Sequence, residues 1–281
     1  MTTVYLNGQY IPKEKALIPV EDRGFVFGDG IYEVVRLIKG KVFAWDAHAA
    51  RLANGLTFLR IDRTGTEGLK AVCEKLVADN GLAGGEATVY IQVSRGAAPR
   101  THHFPPAGTP TTIFASASAF APNFAARDAG MKGITLPDIR WSRCDIKTVN
   151  LLGPVLARQA CQEAGAYEAL LHRDGMFTEG AATNAFFVVD GVLRTYPLTH
   201  YVLPGITRIE IMALVKALGI KCEERPVAVT ELGKVSEIFV CGTTTDVTPL
   251  VEIDGKKVGD GKPGPITVKL KDAFAKRLYG A

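Results

Sequence analysis

The chain has 281 residues, room for two compact domains or one large one at roughly 150 residues per domain. Its 47% hydrophobic and 22% charged residues exclude intrinsic disorder and are enough to build a sizeable core. The net charge of +4, from 33 Lys+Arg against 29 Asp+Glu, is scattered rather than gathered into a basic stripe, which argues against nucleic acid as a partner.

The first residues soon meet Lys13, Glu14 and Lys15 and lack the apolar core of a signal peptide. No apolar run approaches the roughly 18 residues of a membrane span, so no membrane partner is expected. Strands are predicted at Val4–Leu6, Val34–Ile38 and Val42–Ala44, punctuated by Asn7-Gly8 and Lys39-Gly40-Lys41. A helix is predicted to follow Asp46 as its N-cap. The clearest helix spans Thr66–Asn80: Leu69, Val72, Cys73, Leu76 and Val77 fall on one face, and Gly81 suits its end. Strands Ala87–Ser94 and Thr111–Ser116 flank a long polar, Pro-rich loop of the kind that is functional or disordered. The Ala/Pro-rich stretch Ala119–Gly130 has weak periodicity and reads as a linker, dividing the chain into 1–118 and 131–281.

Beyond it, a helix is predicted from Pro154 to Ala164, strands at Tyr167–His172 and Asn184–Val189, and a helix over Thr207–Leu218. A strand at Glu237–Cys241 and a helix over Pro265–Leu278 complete the pattern. Without regular βαβ alternation, an α+β chain of two domains is expected rather than a Rossmann fold. Cys73, Cys144, Cys161, Cys222 and Cys241 show no paired spacing, so neither disulfides nor a metal site are expected, and the cytoplasm is the expected location.

Four places combine polar groups with apolar surroundings. Lys147 stands where its segment turns apolar, and a desolvated lysine is a better nucleophile. Taken alone, it reads first as a lysine snorkelling from the end of an element. Glu179, among Thr178, Gly180, Ala181 and Ala182, could meet a ligand, or could be an exposed turn acid. Gly205-Ile206-Thr207 before a helix and Gly242-Thr243-Thr244 after a strand offer N–H and hydroxyl groups to one phosphate, although plain capping explains each equally well. With neither a P-loop nor a dinucleotide fingerprint, a nucleotide cradle is disfavoured.

Together these pieces resemble a known family. The run Asp22-Arg23-Gly24-Phe25-Val26-Phe27-Gly28-Asp29-Gly30, Arg51, Cys144-Asp145-Ile146-Lys147, Thr178-Glu179-Gly180, Pro204-Gly205-Ile206-Thr207-Arg208 and Thr243-Thr244-Thr245-Asp246 follow the order of the fold-type IV pyridoxal-phosphate enzymes. Pro99-Arg100-Thr101-His102 is similar to a loop of bacterial D-amino-acid transaminases, in which the arginine and histidine hold the substrate carboxylate and reach in from the neighbouring subunit.

The resemblance implies a smaller N-terminal α/β domain, a larger C-terminal α/β-barrel-like domain carrying the cofactor lysine, pyridoxal 5′-phosphate as cofactor, and a homodimer with shared sites. Lys147 would bind the cofactor covalently and carry protons, and Glu179 would face the ring nitrogen. Leu203 would pack on the ring; Arg51, Ile206, Thr207, Thr243 and Thr244 would hold the phosphate; Tyr32, Arg100 and His102 would receive substrate. The implied reaction is ping-pong transamination between D-amino acids and 2-oxoacids. A branched-chain L-amino acid or (R)-amine transaminase is the alternative, and a non-catalytic ligand-binding protein of the same fold a remote one. Ala181-Ala182 departs from a family Ser-Ser pair, which puts substrate range and rate in question. Cys144 is the thiol expected near the chemistry, while His48 and His103 match no role and read as structural or surface.

Overall fold

The computed structural model describes residues 2–280. Packing divides the chain into two compact units: residues up to Ala121 together with Ile146–Asn150, and Pro122–Asp145 together with the chain from Leu151.

The first unit contains β1 (Thr3–Leu6), β2 (Gln9–Pro12), α1 (Arg23–Phe27), β3 (Gly30–Ile38), β4 (Lys41–Val42), α2 (Trp45–Leu59), α3 (Leu69–Asp79), β5 (Glu86–Ser94) and β6 (Thr112–Ala119). Its strands form an antiparallel sheet in the order β2-β1-β6-β5-β3-β4. Asn7 and Gly8 both have positive φ, 48° and 89°, the conformation a two-residue hairpin turn requires. α2 starts at Trp45, so the expected cap Asp46 lies inside its first turn. α3 starts at Leu69 rather than Thr66 because Gly68, at φ 79°, turns the chain immediately before it. The five residues assigned to its inner face are all buried, each contributing about 1.5–3 kcal/mol when fully removed from water. They pack with Leu52 and Leu56 of α2 against Val35, Leu37, Val89, Ile91 and Ala115 on one face of the sheet.

The second unit contains α4 (Phe124–Ala129), β7 (Met131–Pro137), α5 (Leu152–Glu163), β8 (Glu168–Arg173), β9 (Met176–Gly180), β10 (Asn184–Val189), β11 (Val192–Thr195), α6 (Ile206–Ala217), β12 (Cys222–Glu223), β13 (Val235–Gly242), β14 (Asp246–Ile253), β15 (Lys256–Lys257) and α7 (Pro265–Tyr279). The strands build a mixed sheet in the order β12-β11-β10-β13-β14-β7-β8-β9, with β15 paired to β14. Its pairs β11–β12, β14–β7 and β7–β8 are parallel and the others antiparallel. Leu170, Phe177, Phe187, Ile238, Val240 and Leu250 fill its core.

The α+β class expected from the sequence holds. Two placements within it differ from expectation. The stretch read as a linker contains α4, whose Arg127 is buried and ion-paired with Asp246 at the start of β14. Residues 146–150, expected in the C-terminal domain, pack with the N-terminal unit because they extend alongside the start of β3. Among the described residues no helix is long and apolar enough to cross a membrane, and no group of His, Cys, Asp and Glu could hold a metal ion.

Candidate functional site

In the first unit, β3 alternates Ile31, Glu33, Val35 and Leu37 toward the apolar core. A carboxylate on that face needs partners, and α2 supplies two from one side of the helix. Arg51 donates from Nε and Nη2 to the two Glu33 oxygens, each at 2.7 Å, and His48 Nδ1 lies 2.8 Å from Oε2. Arg51 therefore has a fixed orientation, and His48 is a buried structural residue. No motif marks Glu33 or its pairing; the only signal for it in the sequence is a glutamate on the apolar face of a strand.

Burial pushes the Glu33 carboxyl up, but the hydrogen bonds and charge of Arg51, aided by His48, outweigh it and hold the group at about 2, against an ordinary 4.5. A depressed carboxyl stabilises the fold above its unfolded pKa, and that contribution is lost as pH falls through the folded one. The window here runs from about 4.5 down to about 2. The total loss from this group should be about 3 kcal/mol. In urea denaturation across the window the natural chain should lose about 3 kcal/mol more stability than Glu33→Gln; parallel curves would refute the assignment.

Lys147 lies on the short stretch alongside β3. Tyr32 N donates to Lys147 O and Val149 N to Gly30 O, both at 3.0 Å, and Thr148 sits opposite Ile31. The side chain is half-buried, with Nζ 4.2 Å from the centroid of the Tyr32 ring. It has no ion-pair partner among the described residues. Tyr32 faces away from the core, 5.6 Å from the Tyr90 ring. Burial pushes the Tyr90 phenol up to about 12, and its hydroxyl donates to Gln92 at 2.7 Å. Arg100 and His102 are exposed on the loop between β5 and β6, both next to the ring of Phe27.

In the second unit, Glu179 lies within β9, not in an exposed turn, and is 3% exposed. Arg140 Nη1 donates to Oε1 at 2.5 Å, Asn184 Nδ2 to Oε2 at 2.7 Å, and Leu203 N approaches the two oxygens at 3.2 and 3.1 Å. Arg140 is itself held by both oxygens of Asp138, at 2.9 and 2.8 Å. Burial pushes the Glu179 carboxyl up, opposed by the charge and hydrogen bond of Arg140 and by the Leu203 amide. No motif marks Asp138, Arg140 or Asn184: Asp138 and Arg140 lie about forty residues before Glu179 in the chain, and Asn184, five residues after it, opens a strand that is otherwise apolar. Leu203 is half-buried, and its carbonyl accepts from Asn184 at 2.8 Å.

Beyond Glu179, Ala181 and Ala182 leave Thr183 as the remaining hydroxyl, and it donates to the buried Glu168 at 2.9 Å. A Cβ on Gly180 would lie 2.1 Å from that hydroxyl, so a side chain there would displace the hydroxyl that Thr183 gives to Glu168. Gly205 is the N-cap of α6 and makes no side-chain hydrogen bond to the first turn. A Cβ at Gly205 would stand 2.0 Å from Asn184 Oδ1. Ile206 and Thr207, in the first turn, are buried. Gly242-Thr243-Thr244-Thr245 turns β13 into β14, and Arg127 braces the turn by donating to Thr244 O at 2.8 Å. Cys144 is buried, its thiol pushed up to about 11 chiefly by burial, and donates to Trp141 O at 3.1 Å. This is an inert thiol rather than a reactive one.

The family model for the class IV amino-transferases matches residues 30–253. The chain is 40% identical over 279 residues to a D-alanine aminotransferase of Staphylococcus haemolyticus, covering 99% of this chain and 98% of the relative. It is 39% identical over 272 residues to a D-alanine aminotransferase of Bacillus licheniformis, covering 96% and 95%. Among solved structures it resembles a branched-chain amino acid aminotransferase of Escherichia coli, with a TM-score of 0.89, 26% identity and coverage of 99% and 93%. It also resembles the branched-chain aminotransferase of the archaeon Thermoproteus uzoniensis with norvaline, with a TM-score of 0.88, 25% identity and coverage of 99% and 95%.

Proposed function

The chain belongs to the class IV amino-transferase family, and we propose that it moves the amino group between D-amino acids, D-alanine among them, and 2-oxoacids such as 2-oxoglutarate and pyruvate, in ping-pong half-reactions with pyridoxal 5′-phosphate. The observation that carries the choice within the family is the Pro99-Arg100-Thr101-His102 loop, which presents a guanidinium and an imidazole together from one anchored segment. The D-alanine aminotransferases named above match this chain over nearly its whole length, and the branched-chain enzymes, at 25–26% identity, support the alternative less well.

The donor set fits the cofactor. When bound, pyridoxal phosphate supplies an aldehyde to take the amino group and a ring to accept the electron pair released at the substrate Cα. Lys147 is assigned to hold it covalently, and Nζ to carry the proton from Cα. Glu179, kept in place by Arg140, Asn184 and the Leu203 amide, is assigned to hold a proton on the ring nitrogen. Arg51, the first N–H groups of α6 at Ile206 and Thr207, and Thr243 with Thr244 are assigned to the phosphate, and Leu203 to the ring. Tyr32, Arg100 and His102 are assigned to substrate.

The reading extends to a homodimer with shared sites. Arg100 and His102 are exposed on their own chain, and exposed apolar side chains include Leu17, Val20 and Phe25 in the first unit and Leu152, Val155 and Leu156 in the second, surface that a second copy would cover. All five cysteines are unpaired, which suits the cytoplasm.

Steady-state assay with 2-oxoglutarate tests the reading. D-alanine should support turnover at a kcat/KM at least about 100-fold above that of L-leucine or L-valine. A preference for the branched-chain L-amino acids would overturn it in favour of the alternative.

A further inference from the structure

We propose that Phe27 is a positioning residue for substrate recognition: its ring is the surface that holds the Arg100 guanidinium and the His102 imidazole in register for a carboxylate. The inference rests on the assignment of those two residues to substrate given above.

The loop that carries them is fixed at its base, its middle and its far side, in each case by the first unit. At the base, Arg23 N donates to Gly96 O at 2.9 Å. Gly96, at φ 89°, lies so close to the returning strand that a Cβ there would sit 1.9 Å from Pro110 O. In the middle, Arg23 Nη1 donates to Thr101 O at 2.7 Å, and Thr101 is the residue between Arg100 and His102. Arg23 is buried and locked by Asp29 through a 2.8 Å bond from Nε. On the far side, the ring of Phe104 receives Arg95 at 3.7 Å and Arg60 at 4.9 Å, and Arg95 is held in turn by both oxygens of Asp29.

The backbone between the two recognition residues is therefore pinned, while their side chains project into exposed surroundings. An unsupported arginine there would surrender much of its rotamer freedom on binding a ligand. Phe27 supplies the support. The Arg100 guanidinium lies 5.2 Å from its centroid, the His102 ring 5.7 Å and the Arg23 guanidinium 4.7 Å. An aromatic face attracts the two guanidinium cations electrostatically, and the His102 ring packs against it in a tilted ring contact. Phe27 is half-buried and lies outside the apolar core of its unit, so packing alone does not account for an aromatic ring at this place.

The test compares Phe27→Leu, Phe27→Tyr and Arg100→Ala in the cofactor-loaded enzyme. Phe27→Leu keeps apolar volume but loses the ring. It should raise KM for D-alanine by about threefold to tenfold, with kcat within about twofold, cofactor affinity unchanged and the thermal midpoint near that of the natural chain. Phe27→Tyr should retain the natural KM. Arg100→Ala should raise KM by about tenfold or more. If Arg100→Ala raises KM and Phe27→Leu does not, the positioning role fails while the substrate reading stands. If Arg100→Ala leaves KM unchanged, the substrate reading fails and takes this inference with it. A Phe27→Leu enzyme that loses kcat or cofactor affinity with KM unmoved would show a merely structural ring and overturn the proposal.

Discussion

Lys147→Ala is expected to lower kcat by about 10⁴-fold or more while leaving the fold almost as stable as before. The two halves of that expectation come from different parts of the residue. Its carbonyl and the neighbouring amides make the backbone pairing that ties residues 146–150 to β3, and alanine preserves that pairing. The amine contributes one aromatic contact, with Tyr32, and no ion pair among the described residues. Removing it costs little packing, yet it removes both the group assigned to hold the cofactor and the base assigned to move the Cα proton. Activity assays and thermal denaturation on one preparation check both halves, and added small primary amines should restore part of the rate. Residual activity above about 1% of the natural rate would mean that another group carries the proton.

The second large effect is expected at Glu179. Both of its oxygens accept hydrogen bonds, from Arg140 on one and Asn184 on the other, with the Leu203 amide close to each. A glutamine has only one such oxygen, so in Glu179→Gln an NH₂ group must face a donor whichever way the amide is turned. Arg140 keeps Asp138 but loses its second counter-charge. We expect a loss of about 1–3 kcal/mol in stability from the unsatisfied donors and, on the role proposed for Glu179, a fall in kcat of about 10²–10³-fold from the lost negative charge. Chemical denaturation and steady-state kinetics give the two quantities separately. A variant within about threefold of the natural kcat would remove Glu179 from the chemistry.

Periodic patterns made much of the fold legible. Leu69, Val72, Cys73, Leu76 and Val77 identified α3, and the apolar run Asn184–Val189 identified β10 with its bounds. Elements whose stability comes from tertiary partners were not legible. α1 is five residues long, contains a glycine, and stands because Asp22 accepts from Gly24 N and Gly28 turns left-handed after it. α4 lies in a stretch without useful periodicity and is held by Arg127 on Asp246. β9 was hidden because Thr178-Glu179-Gly180 reads as a turn, and only the surrounding donors make a buried carboxylate acceptable within a strand.

The candidate site divides in the same way. Lys147, Glu179, Thr207 and Arg100 stood out because motifs in a fixed order surround them. Their supports did not, since Glu33 lies 18 residues from Arg51 and Arg140 lies 39 from Glu179. Local sequence carries no trace of such pairings beyond a charged residue on an apolar face. The same is true of Phe27, whose ring meets a loop more than seventy residues further along the chain.

The central claim is transamination of D-amino acids on Lys147-bound pyridoxal phosphate, and a spectral titration of the pure protein tests it most directly. Each half-reaction can be followed on the visible absorbance of the bound cofactor, without a coupling enzyme or second substrate. D-alanine should deplete that absorbance and pyruvate should restore it, while L-alanine at the same concentration leaves it unchanged. Depletion by L-leucine or L-valine with no response to D-alanine would contradict the account.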